Sequence, residues 1–114
     1  MPLDEFTKSA AEEKLKSFCN EKVAPEVRDK LRITYGFWHD SALIYEERPV
    51  WDDPSRWTKM KIARMDFNPE TMGWTLYAYD RNSKPFLYDF TEIDTTLDRL
   101  LQEVDEDPTG IFWG

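Results

Sequence analysis

Between Met60 and Tyr88, apolar and aromatic residues return at nearly every second position, broken only by turn formers. Met-Lys-Ile-Ala-Arg-Met-Asp-Phe is followed by Asn68-Pro-Glu-Thr-Met-Gly73, then Trp-Thr-Leu-Tyr-Ala-Tyr, Asp80-Arg-Asn-Ser83 and a short Phe-Leu-Tyr. A period of two is the spacing of a strand with one face buried, and clusters of Asn, Asp, Ser, Pro and Gly are the chemistry of turns. A chain with this centre is confined to an antiparallel sheet, and its remaining residues have to cover that sheet.

Upstream, Leu31, Ile33, Tyr35 and Phe37 alternate with Arg32, Thr34 and Gly36. This is the cleanest strand signal in the chain. His39-Asp40-Ser41 supplies a turn, and Ala42 to Glu47 returns as a second strand. Arg48 to Trp57 reads as a long loop, because Pro49 and Pro54 each lack the N–H that a ladder needs. The phase of Met60–Phe67 slips, since Met60 and Ile62 are even and Ala63, Met65 and Phe67 odd. A bulge near Ile62-Ala63 restores it by adding one residue. Phe86, Tyr88 and Phe90, opened by Pro85, are the last strand.

Helices flank this sheet. Ser9-Ala-Ala-Glu12 has the form of a capping box, with Asp4 as a rival start, and Ala11, Leu15, Phe18, Cys19 and Lys22 follow at helical spacing. Pro25 ends that helix after about four turns. Thr91 with Asp94 marks a second helix start. Ile93, Leu97, Leu100, Leu101 and Val104 form its stripe, and Pro108 stops it. The expected architecture is α+β: an N-terminal helix, an antiparallel meander of about five strands, a C-terminal amphipathic helix and an aromatic C-terminal tail. With 114 residues, one domain over 1–114 accounts for the whole chain.

Several function classes are disfavoured at once. The formal charge of −8 repels phosphates and anionic lipid, which disfavours nucleic acid and a membrane as partners; Lys59, Lys61 and Arg64 are the one dense basic group. The single cysteine, Cys19, excludes an intramolecular disulfide and points to a reducing, cytoplasmic compartment. No apolar run approaches the ~20 residues of a membrane span, and no signal peptide is visible.

Nor does a catalytic constellation appear. His39 beside Asp40 reads as a turn pair, with Ser41 too near in sequence to act as a triad nucleophile. Cys19, on the apolar helix face, reads as a small buried hydrophobe. One His and one Cys make no zinc site, the acidic runs lack a calcium-loop pattern, and the four glycines form no phosphate cradle. No catalytic residue, metal ligand set or cofactor is therefore expected. The binding candidates are Arg48, Trp51, Asp53 and Trp57, the residue types of interaction hot spots on a proline-stiffened segment. Trp113 joins them, in a tail that either docks on the core or is offered to a partner. The competing reading folds the Trp rings back over the sheet and pairs Arg48 with an acid.

Three strings stand together: Arg48-Pro49-x-Trp51-x-Asp53-Pro54-x-x-Trp57, Trp74-x-Leu76-Tyr77-x-x-Asp80-Arg81-Asn82, and Asp107-Pro108-x-Gly110-x-Phe112-Trp113-Gly114. With them the chain resembles a family of small bacterial proteins known as a domain of unknown function, over nearly its full length. The resemblance implies a bacterial, single-domain, intracellular protein and implies no activity. The leading functional expectation is a non-enzymatic module binding another protein, or itself, through the Trp-bearing segment and an aromatic sheet face. The alternative is a small-molecule-binding domain or weak enzyme, with a cleft between sheet and helix edged by Tyr77, Tyr79, Arg48 and Asp53.

Overall fold

A computed structural model describes residues 3–114 and has the expected α+β architecture. Helix α1 (Glu5–Lys22) is followed by a 3-10 turn (Pro25–Val27) and strands β1 (Arg32–Trp38), β2 (Ser41–Val50), β3 (Asp53–Asn68), β4 (Gly73–Tyr79) and β5 (Pro85–Leu87). Helix α2 (Leu97–Glu106) closes the order. The five strands form one antiparallel sheet in sequence order, a plain meander.

Helix α1 starts at Asp4 rather than at the Ser9 box. The Asp4 carboxylate accepts from the Thr7 N–H at 2.8 Å and from the Thr7 hydroxyl, bonds that hold its pKa below the usual carboxylate range. The earlier cap adds a turn, so the helix runs five turns rather than four. Thr7, Ala11, Leu15 and Cys19, spaced by four, are its buried stripe. It packs on β1, where Tyr35 donates to Glu12 at 3.2 Å.

The bulge expected near Ile62-Ala63 is present. Ile44 pairs with Ala63 and Tyr45 with Lys61, leaving Ile62 as the extra residue. Both Ile62 and Ala63 therefore turn inward, and Lys61 returns to the outer face. Inside, Leu15, Ile44, Met65, Leu76, Leu100 and Val104 are completely buried between sheet and helices.

Three expectations need correction. Residues 48–57 are not a loop: β2 continues to Val50 and β3 begins at Asp53, with Trp51 and Asp52 at the tip of the hairpin. Both prolines fit because β1 reaches only Glu47 on β2, so Pro49 lies where β2 has become an edge strand. Pro54 falls at the irregular step of the register between Pro49 and Val50. The last strand ends at Leu87; Tyr88 still donates its N–H to Leu76, but Phe90 lies in a turn and is exposed. Helix α2 starts at Leu97, not near Thr91. Thr95 bridges to Trp74 through two backbone hydrogen bonds, and Thr96 takes the cap by accepting from the Arg99 N–H. Ile93 is thereby off the helix and exposed.

The tail docks. Phe112 is buried against Tyr88, with ring centroids 5.0 Å apart. The Trp113 indole donates to the Val104 carbonyl at 2.6 Å, beneath the Lys22 ammonium. The left-handed Asp107 ends α2, and its carboxylate accepts from the N–H groups of Phe112 and Trp113.

Candidate interaction surface

Both helices lie on one side of the sheet, so the opposite face carries no layer. Paired residues in an antiparallel ladder share a face, and the register places on this outer face Arg32, Gly36 and Trp38 of β1 and Leu43, Tyr45 and Glu47 of β2. Trp57, Lys59, Lys61, Arg64 and Asp66 of β3 and Tyr77 and Tyr79 of β4 complete it. Leu43 is its floor, buried although it belongs to the far side from the main core. Gly36 makes room for the Tyr45 ring, since a Cβ there would stand 3.3 Å from it.

Four cations lie over four rings on this face. The Arg32 guanidinium is 3.8 Å from the Trp57 centroid, Lys59 Nζ 4.4 Å from Tyr45, Arg64 4.4 Å from Tyr77 and Lys61 Nζ 5.7 Å from Tyr79. All fall within the reach of a cation–π contact. The two acids among them are occupied. Asp66 accepts from Ser41 at 2.6 Å and pairs with Arg64, and Glu47 accepts from Thr34 at 2.7 Å. Burial pushes the Tyr79 hydroxyl up, with Arg64 opposing part of the shift. A shallow hollow of about 370 Å³ lies between Trp38, Leu43, Tyr45, Lys61, Arg64 and Tyr79.

Cations stacked on rings are groups suited to an anionic or aromatic ligand. Among the described residues no group of three or more His, Cys, Asp or Glu is placed to hold a metal ion. Cys19 is buried, and burial pushes its thiol up to about 12, away from the thiolate a nucleophile needs. His39 sits in the β1–β2 turn with its ring against Trp38.

The candidates read from the sequence scatter. Trp57 is on the outer face under Arg32. Trp51 stands at the hairpin tip, 93% exposed. Arg48 shares the parity of Ala42 and Ile44, on the helix side, and pairs with Glu46 at 3.4 Å. Asp53 accepts from the Ser55 hydroxyl near the same tip. Trp113 is docked at the far end of α2. The cleft edged by Tyr77, Tyr79, Arg48 and Asp53 is not assembled, because the two tyrosines and Arg48 point to opposite faces. Lys59, Lys61 and Arg64 were visible in the sequence as a group. Arg32, Trp38 and Tyr45 were not, although strand parity carried through the two turns and the bulge puts them beside those cations.

A family model described as a domain of unknown function, DUF3024, matches residues 3–114. No curated protein and no solved structure matches the chain.

Proposed function

The chain belongs to the DUF3024 family, a domain of unknown function, and from that premise we propose that it is a non-enzymatic binding module working through the outer face of its sheet. The observation that carries this reading is the gathering of four cation-on-ring pairs on the face without helices, in a chain of net charge −8. Tyr, Trp and Arg are the side chains that dominate interface energetics. The partner is another protein or a second copy of this chain; nucleic acid is disfavoured by the overall charge. We place the module in the bacterial cytoplasm, where a lone buried thiol stays reduced. No helix among the described residues is long and apolar enough to cross a membrane.

Capture from native bacterial lysate tests the reading. The immobilised protein should retain specific bands that Tyr45→Ala/Trp57→Ala loses while remaining folded. Equal capture by both proteins would remove the outer face from the account.

A second reading rests on a different feature. A groove of about 240 Å³ lies between the start of α1, the β3–β4 turn and the start of α2. Phe67, Trp74 and Leu97 line it, and Phe6 and Met72 stand at its rim, 83% and 64% exposed. It suits a small apolar ligand. Met72→Glu should abolish thermal stabilisation by such a ligand and leave outer-face capture intact.

A further inference from the structure

Strand β3 has a bare edge. Strand β4 joins it only from Ala63 onward, and among the described residues, 53–61 have no register partner on that side. Most of these residues are exposed, so neither helix nor loop lies over them. Residues 54–56 bulge out of the β2 register, so the regular part of this edge is residues 57–61, which offer N–H and C=O groups at alternate positions over about 17 Å.

The side chains along the edge alternate in character. Lys59 and Lys61 stand on the outer face, and Met60 lies on the opposite face, 51% exposed. Among the described residues neither lysine is within ion-pair distance of a carboxylate. Each instead lies over a tyrosine ring, an arrangement that leaves its N–H donors available to a carboxylate.

Building on the proposed function, we infer that residues 57–61 take up an extended acidic segment of a partner protein as a sixth strand. Main-chain hydrogen bonds supply the affinity of strand addition, and alternate side chains supply its specificity. Carboxylates two residues apart meet Lys59 and Lys61, and an apolar side chain between them meets Met60. Single-stranded nucleic acid fits less well, because its bases would need rings already covered by cations, and Glu47 and Asp66 stand where phosphates would run. A second copy brings its own two lysines and its own net charge of −8 to the same edge.

Amide NMR of the full chain tests this with a peptide of about nine residues alternating Glu and Val, long enough to span the edge. The peptide should shift the amides of residues 57–61 and slow the hydrogen exchange of those that face the open edge. The same composition with the glutamates in one block should bind about tenfold more weakly or worse, since a third carboxylate rather than a valine then falls between the two that meet the lysines, against the apolar Met60 side chain. Lys59→Glu/Lys61→Glu should lose the Glu-Val peptide and gain one with Lys in place of Glu. No shifts at about millimolar peptide, or equal binding of the block peptide, would overturn the inference. So would tighter binding of oligothymidylate, or a dimer by sedimentation whose edge amides are already protected without peptide. The wider function survives any of these results if lysate capture still depends on Tyr45 and Trp57, and falls if it does not.

Discussion

Gly73 opens β4 directly beneath the chain that returns to α2. A Cβ at this position would run into the backbone of Asp94, just where Thr95 bridges to Trp74. Gly73→Ala must therefore push that segment off the sheet, at a cost of about 2–4 kcal/mol, and thermal melts should show it. Tyr88 is buried, and its hydroxyl donates to the buried Glu103 at 2.6 Å. Glu103 also accepts from Arg99 at 2.9 Å. Tyr88→Phe leaves one buried carboxylate oxygen without its donor, a loss of about 1–3 kcal/mol. Burial, then the bond to Glu103, pushes the Tyr88 pKa up. The folded state thus keeps a proton that the unfolded chain releases near pH 10. Stability from this group is present below about pH 10 and is lost as pH rises through the higher folded value. Melting temperature should accordingly fall more steeply above pH 10 in the native protein than in Tyr88→Phe. Cys19 should label slowly with a thiol reagent in native protein and quickly after unfolding, since its thiol is pushed up to about 12.

At the scale of elements, the bulge at Ile62 sets which way the first half of β3 faces. Deleting Ile62 would turn Trp57, Lys59 and Lys61 toward the helix side, because one residue of slip exchanges the two faces of a strand. The variant should lose cooperative unfolding, or, if it folds, lose outer-face capture. The tail is the other test of packing. Removing residues 111–114 exposes the Phe112 site and takes away the Trp113 bond to Val104. The expected loss is about 2–4 kcal/mol for two large rings, which lowers the melting temperature by about 10 °C or more in a chain of this size. The bulge was legible because a phase change in an alternating pattern has few other causes. The extended hairpin was not, because Pro49 and Pro54 read as strand breakers. Only the absence of β1 beyond Glu47 shows that Pro49 stands at an edge. The start of α2 misled for a related reason. Thr91 and Thr96 both precede a plausible first turn, and the bridge from Thr95 to Trp74, which selects Thr96, is a tertiary contact.

For the whole molecule, charge is segregated even though the net value is −8. Helix α2 carries Asp98, Glu103, Asp105 and Glu106 against Arg99, while Arg32, Lys59, Lys61 and Arg64 gather on the far side of the sheet. Composition averages these two sides and conceals the second. The meander itself was legible, since every strand pair is local and joined by its own turn. The surface was not, because it combines four strands whose parity must be tracked through a bulge. A photo-reactive amino acid placed at Lys61 on the outer face, or at Ser17 in the groove between α1 and α2, tests the role of that surface in native lysate. The account predicts a discrete cross-linked species from position 61 and none from position 17. Cross-linking from position 17 alone would contradict it.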